Sequence, residues 1–214
     1  MHGNVPIENI KERNREGLTK GFANLDKHIE NMKSFGQNVL VALNRYGFDS
    51  EEEIKLIRDH CYQQGVSFAL NDSFTKGGEG AIEFAEEIVR QIGKNPSPAL
   101  SFTYEDNDPI EEKINKIAKS IYGAASVSFG DKARKKLALV ERQNLNHYPV
   151  CIAKTQYSFS DNAHAYGTIN DIVINNGAEF IVAIAGSIMR MPGLPAIPQA
   201  EYIDIIDGKI VGLS

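Results

Sequence analysis

Two short β-rich runs constrain the fold of this 214-residue chain more than any other feature. They are VLVAL at residues 39–43 and VSFAL at residues 66–70, and stretches with helical spacing of apolar residues lie before, between and after them. Such a run suits a strand that is buried on both faces of a parallel sheet, and the helix between two such strands provides the crossover. The order helix–strand–helix–strand–helix therefore predicts an α/β fold.

The three helices of this first half carry their own start and stop signals. Apolar side chains recur at steps of four and three from Leu18 to Met32, which predicts a helix that ends near Gly36. Ser50 and Glu53 form the capping-box pattern that opens the second helix. The third is expected from about residue 79, and it has four apolar side chains that are expected to face the core: Ile82, Ala85, Val89 and Ile92.

A polar connector that contains proline, at residues 93–98, divides the chain into two predicted subdomains, 1–97 and 98–214. In the second subdomain, Asp108 and Pro109 predict a capped helix start. A charged helix is expected over 131–144, and strands over 150–153, 172–174 and 180–185. Asp207-Gly208 between alternating apolar residues predicts a terminal hairpin. The expected fold class is α/β: two small subdomains with mainly parallel strands and a C-terminal β-hairpin.

Charge and composition exclude several classes of function. The net charge of −5 argues against binding to nucleic acid or to an anionic membrane surface, because neither would be attracted. No apolar run approaches the ~20 residues of a membrane span, and the first residues lack a secretory signal, so we expect a cytoplasmic protein. Cys61 and Cys151 lie in apolar contexts and are expected to be buried thiols. The five histidines are scattered, and no metal site is predicted.

Two aromatic residues follow the two predicted parallel strands. Tyr46 comes just after the first strand and Phe74 just after the second. The carboxyl ends of parallel strands line the usual ligand crevice of such folds, and two rings there can sandwich a flat heterocycle, with Leu70 as an apolar wall. The alternative is that one or both rings pack under a loop.

The stretch TKGGEG at residues 75–80 lies between the second strand and the next helix. Lys76, Gly77 and Gly78 are candidate anion- or ligand-facing residues, because glycines free backbone N–H groups and a lysine near a helix start attracts anions. The stretch is not a P-loop, since no glycine–lysine pair of this sequence is followed by serine or threonine. The alternative is a tight strand-to-helix turn. KTQYS at 154–158 offers polar donors but no nucleophile–base pair, so no catalytic residue is assigned.

Several blocks, in order, resemble the C-terminal part of formate–tetrahydrofolate ligase. Among them are GFANL at 21–25, ALNR at 42–45, KGGEG at 76–80, IYGA at 121–124, KTQYS at 154–158 and MPGLP at 191–195. The resemblance implies an ATP-dependent reaction in one-carbon metabolism that joins formate to tetrahydrofolate, giving formyltetrahydrofolate, ADP and phosphate. It also implies a pterin stacked between two aromatic rings. In the family pattern these are Phe and Trp, and here they are Tyr46 and Phe74, with Leu70 beside them.

The family carries its P-loop in a first domain whose signature is absent from this sequence. We therefore expect the chain to be a C-terminal piece of the ligase that is inactive alone, that binds no ATP tightly and that takes an N-terminal ligase half in trans. It is also expected to form a homo-oligomer. One alternative is a non-catalytic folate- or partner-binding module derived from the ligase, and another is an unrelated α/β protein with coincidental matches.

Overall fold

The computed structural model describes residues 3–153, 168–185 and 195–212. The first half contains helix α1 (Arg15–Ser34), strand β1 (Leu40–Asn44), helix α2 (Glu51–Gln63) and strand β2 (Ser67–Asn71). Strands β1 and β2 are parallel, with Leu40 opposite Ser67 and Asn44 opposite Asn71. The α/β prediction is thus confirmed, and each strand lies one residue further along the chain than its apolar run.

Local signals place the ends of the first two helices. The side chain of Asn14 accepts a hydrogen bond from the Gly17 N–H at 2.8 Å, which caps α1. The predicted capping box of Ser50 and Glu53 is present at the start of α2. Gly65 follows α2 with φ of +67°, a left-handed conformation that glycine adopts without strain.

One hydrophobic core joins α1, α2 and β2. Its buried members are Ile29, Ile54, Cys61, Val66 and Phe68. Full burial of one large apolar side chain contributes about 1.5–3 kcal/mol, so this cluster holds the strands and both helices together. It fixes the position of the carboxyl ends of β1 and β2, where the predicted site lies.

The chain after β2 contains two short elements before the third long helix. These are the one-turn helix α3 (Ser73–Lys76), a 3-10 turn (Gly77–Ala81) and helix α4 (Ile82–Lys94). The prediction that Ile82, Ala85, Val89 and Ile92 face the core is wrong, because all four are exposed. Phe84 and Ile88 are half-buried instead.

Polar contacts explain this orientation of α4. Gln91 donates to the Ser67 hydroxyl, and Glu83 accepts the Leu70 N–H at 3.4 Å, so both polar side chains reach β2. Since α4 is apolar on two sides, the spacing of apolar residues did not decide which side is buried. The outer side, which we call the α4 stripe (Ile82, Ala85, Val89 and Ile92), remains exposed to solvent.

The second half is built on a four-stranded mixed sheet with the order β3-β5-β6-β4. Its elements are α5 (Ile110–Ser120), β3 (Ser128–Phe129), α6 (Asp131–Arg142), β4 (Val150–Ala153), β5 (Thr168–Asn175) and β6 (Phe180–Ala185). β3 pairs with β5 and β4 with β6 in parallel, whereas β5 and β6 are antiparallel. A second core covers this sheet and includes Ile114, Val140, Ile172 and Ile181.

The predicted terminal hairpin is present. β7 (Asp204–Ile206) pairs with β8 (Lys209–Val211) in antiparallel fashion. Asp207 and Gly208 form the turn with φ of +49° and +74°, which suits a two-residue turn with both residues left-handed.

Two other expectations are wrong. Asp108 does not cap α5, since the preceding position is Pro109 and the Asp108 carboxylate accepts from the Glu105 N–H and the Lys116 ammonium group instead. Cys151 is exposed while Cys61 is buried; Cys151 lies on β4, the edge strand of its sheet.

The two hydrophobic cores share no residue. Contacts nevertheless cross the predicted boundary near residue 98. The Asn31 side chain of α1 donates to the Ile121 carbonyl at 3.0 Å, and the Ser101 N–H donates to the Phe35 carbonyl at 3.0 Å. The boundary stays a proposal, since α1 belongs to the first half and also contacts the second.

Candidate functional site

The site begins where β1 and β2 end side by side. Asn44 and Asn71 are register partners, and the Asn71 amide donates to the Asn44 side-chain oxygen at 2.8 Å. The Arg45 N–H donates to the Asn71 carbonyl at 2.9 Å, which extends the ladder by one bond. Strands β1 and β2 therefore end at the same level of the sheet, and the residues that follow the two strands are neighbours.

A tight turn positions Tyr46 after β1. The Tyr46 N–H donates to the Asp49 carboxylate at 2.8 Å, and the Asp49 N–H donates back to the Tyr46 carbonyl at 3.0 Å. An aspartate that bonds to a nearby backbone N–H in this way stabilises a turn. The turn brings Phe48 against Tyr46, with ring centroids 5.4 Å apart and 11° between the ring planes.

The short helix α3 positions Phe74 after β2. The Ser73 N–H donates to the Asn71 side chain at 3.3 Å, and the Lys76 N–H donates to the Asp72 carbonyl at 3.0 Å. Phe74 lies on this turn of helix with 84% of its surface exposed. A large apolar ring left in solvent at the end of a strand is available to a ligand.

Tyr46 and Phe74 line the same cavity, which has a volume of about 340 Å³. Its other lining residues are Asn44, Arg45, Asn71 and Ser73. Leu70 and Lys76 are absent from the described residues that line it. Leu70 is half-buried and packs against the first hydrophobic core instead.

The charged groups around the cavity are paired with one another. The Arg45 guanidinium lies 2.6 Å from the Glu51 carboxylate, and the Lys76 ammonium lies 2.8 Å from the Asp72 carboxylate. The hydrogen bond from Lys76 lowers the pKa of Asp72, which keeps this carboxylate charged. Lys76 is thus held by its own helix turn, and an anionic ligand would have to compete with Asp72 for it.

Two glycines of the KGGEG turn allow backbone conformations or contacts that a side chain would hinder. Gly77 has φ of +60°. A side chain at Gly80 would lie 2.3 Å from the Asp72 carbonyl oxygen, and the Asp72 N–H donates to the Gly80 carbonyl at 2.9 Å. The turn folds back onto Asp72, which gives it a structural role. Apart from its chain neighbours, no described atom lies within 4 Å of where a side-chain carbon at Gly78 would be.

A second cavity of about 350 Å³ also has Tyr46 in its lining. Residues of the N-terminal segment, β1 and α2 line it, and they include Val5, Ile10, Leu43, Tyr46, Phe48 and Ile57. Tyr46 is shared by the two cavities, while Phe48 lines only the second and Phe74 only the first.

The sequence predicted that Tyr46 and Phe74 lie close together, and both line this cavity, but it did not single out the polar residues Asn44, Asn71 and Ser73 that line it with them. Asn44 and Asn71 had a usable signal, since residues one position beyond an apolar run fall at the carboxyl end of a parallel strand. Phe48 and Arg45 had no comparable signal, because their positions depend on the geometry of the turn at 46–49.

Two stretches named in the sequence analysis cannot be placed in the described structure. KTQYS at 154–158 and MPGL at 191–194 lie outside the described residues. Within the described ranges, no group of three or more His, Cys, Asp or Glu side chains is placed to hold a metal ion. Among the same residues, no helix combines the length and the hydropathy of a membrane span.

Comparison with known proteins places these features in a family. The family pattern described as "Formate--tetrahydrofolate ligase" matches residues 1–214. Proteins of that name are similar to the chain over its whole length: one from Parabacteroides distasonis is 55% identical, one from Bacteroides fragilis 53% and one from Campylobacter concisus 47%. The chain spans about 40% of the length of each of these relatives.

Proposed function

The chain belongs to the formate–tetrahydrofolate ligase family, and from this premise we propose that it forms the folate-binding portion of an ATP-dependent ligase. The reaction would join formate to tetrahydrofolate with ATP, giving formyltetrahydrofolate, ADP and phosphate. We also propose that the protein is soluble, lies in the cytoplasm and forms a homo-oligomer.

The observation that carries the proposal is the shared cavity of Tyr46 and Phe74. A pterin is flat, and two rings that follow adjacent parallel strands can stack on its two faces. Asn44 and Asn71 line the same cavity, and their amides can donate to or accept from the polar edge of a heterocycle. The binding of tetrahydrofolate in this cavity is thus chemically consistent with the residues present.

The cavity does not fit the triphosphate of ATP. Such a site gathers backbone N–H groups and free cations around the phosphates. Here Arg45 and Lys76 are each paired with a carboxylate, and the sequence has no P-loop. We therefore propose that the chain alone does not complete the reaction and that the phosphate chemistry belongs to an N-terminal ligase part acting with it.

Calorimetry with tetrahydrofolate under anaerobic conditions tests the folate site. The wild-type chain is expected to bind weakly, between about millimolar and tens of micromolar, since one stacked ring contributes about 0.5–1.5 kcal/mol beyond its area. Phe74→Ala should weaken binding more than Lys76→Ala, and Phe74→Trp should strengthen it because the larger ring buries more surface. Phe102→Ala is the matched control, since Phe102 is 79% exposed and lines neither cavity. Equal affinities across the Phe74 series would refute the stacking site.

The alternative is a non-catalytic folate- or partner-binding module derived from the ligase. The observation that favours this module is that the cavity of Tyr46 and Phe74 has the residues for a flat ligand but, among the described residues, none arranged for a triphosphate. Folate binding that persists while no ligase N-terminal part restores turnover would favour this alternative.

A further inference from the structure

We propose that Phe48 is a positioning residue that holds the Tyr46 ring in place for stacking on a flat ligand; the inference rests on the proposed folate site. The two rings are nearly parallel, at 11°, with centroids 5.4 Å apart. This is offset stacking, in which aromatic pairs are favourable beyond the area they bury.

The cavities separate Phe48 from Phe74. Tyr46 lines both cavities, whereas Phe48 lines the 350 Å³ cavity and Phe74 the 340 Å³ cavity. Phe48 can therefore stack on the Tyr46 ring without taking part in the cavity that Phe74 lines. In the proposed complex the ligand stacks on the Tyr46 face opposite Phe48, so the order of rings is Phe48, Tyr46, ligand and Phe74.

Tyr46 needs such support because little else restrains it. The ring is 56% exposed, and a free side chain would lose rotamer freedom on binding. The backbone of the turn is fixed by the two hydrogen bonds between Tyr46 and Asp49, so Phe48 returns to the same place beside the ring. Stacking on Phe48 pre-orders Tyr46 before the ligand arrives, which improves affinity without a direct contact to the ligand.

The prediction concerns ring character rather than bulk. Phe48→Leu keeps an apolar side chain but removes the ring, and it should weaken tetrahydrofolate binding about two- to tenfold. Phe48→Tyr keeps the ring and should bind within about twofold of the wild type. Phe102→Leu is the matched control and should leave affinity unchanged. Melting temperatures of all variants report any loss of folding.

A double-mutant cycle separates positioning from general structure. In a Tyr46→Leu chain there is no ring to position, so Phe48→Leu should add no further loss of affinity. If Phe48→Leu instead weakens binding equally with and without Tyr46, or no more than Phe102→Leu does, the inference is overturned.

Ring order can also be measured without ligand. In spectra of the chain with ¹³C-labelled tyrosine, Phe48→Leu should move the Tyr46 ring signals, because the ring current of Phe48 is lost, while Phe48→Tyr should largely preserve them. Unchanged signals in Phe48→Leu overturn the inference. Absence of any wild-type binding of tetrahydrofolate would count against the proposed folate site, and these spectra would still decide the role of Phe48.

Discussion

Lys113 is fully buried although it carries an ammonium group. Its Nζ donates to the carbonyls of Asp106 and Asn146, both at 2.7 Å, and of Tyr148 at 3.1 Å. Three N–H donors thus meet three acceptors. Nζ also lies 5.1 Å from the centre of the Tyr104 ring, where a cation is attracted. Lys113 therefore ties two loops to α5, while burial lowers the pKa of its ammonium group.

Replacement of Lys113 by methionine should destabilise the protein. The apolar side chain fills the space but leaves three carbonyls without their donor, and we expect the free energy of unfolding to fall by about 2–4 kcal/mol. Urea unfolding followed by circular dichroism measures this. Lys116→Met is the control, because Lys116 is more exposed and forms a solvent-screened ion pair with Asp108, so its loss should destabilise the protein much less. Similar losses in the two variants would contradict the role of Lys113.

Glu87 gives a pH-dependent prediction. Hydrogen bonds from Arg90 and then Gln91 lower the pKa of Glu87 from 4.5 to about 2. The folded state thus holds this carboxylate ionised where the unfolded chain would protonate it, so its stabilisation is complete above about pH 4.5 and is lost as the pH falls towards 2. Glu87→Gln should lower the free energy of unfolding by about 1 kcal/mol at pH 6.

The difference between wild type and Glu87→Gln should narrow between pH 4.5 and pH 3 in chemical unfolding. Glu86→Gln serves as a control, since Glu86 is exposed on the same helix. A gap for Glu87→Gln that stays constant with pH would refute the assignment.

At the scale of helices and strands, the sequence predicted the elements that local signals define. The Ser50–Glu53 capping box, the end of α1 near the left-handed Gly36 and the Asp207-Gly208 turn need only neighbouring residues, and all three are present. The orientation of α4 could not be predicted, because it is set by Gln91 and Glu83 reaching β2, contacts that only the folded chain brings together. Asp108 failed as a cap for the same reason, since Lys116 and the Glu105 N–H hold its carboxylate.

The α4 stripe should drive association of the isolated chain. Val89 is 71% exposed, Ile92 65% and Ile82 53%, which makes a continuous apolar strip on one helix. In sedimentation velocity experiments the wild-type chain should self-associate with rising concentration, and the double variant Val89→Lys, Ile92→Lys should shift towards monomer. Tyr62→Lys, on the exposed side of α2, is the control and should behave as wild type. A monomeric wild type at all concentrations would contradict this expectation.

At the scale of the molecule, we expect catalysis to need more than this chain. The purified chain should show no ADP release that depends on formate and tetrahydrofolate, because its sequence has no P-loop. Addition of the N-terminal part of a related ligase should restore release. Robust turnover by the chain alone would mean that ATP binds through residues not identified here.

The candidate site was predictable in part for a reason of topology. Parallel strands deliver their carboxyl ends to one edge, so Tyr46 and Phe74 can be expected to be close from their places in the sequence alone. The one-turn helix α3 was not predictable, and without that turn the ion pair between Lys76 and Asp72, four residues apart, could not be expected either. The assignment of the cavity to folate remains a proposal that the calorimetry tests.

The contacts of α1 and the connector have a consequence for proteolysis. Residues 94–99 are exposed to solvent, and cleavage there would break the covalent link between the two halves. The halves would still be joined by Asn31 to the Ile121 carbonyl and by Lys27 to the Ser120 carbonyl. Each half has its own core, so each should stay folded after cleavage and keep these contacts. We therefore expect a nicked protein to migrate as one species in native gel filtration and as two bands only after denaturation.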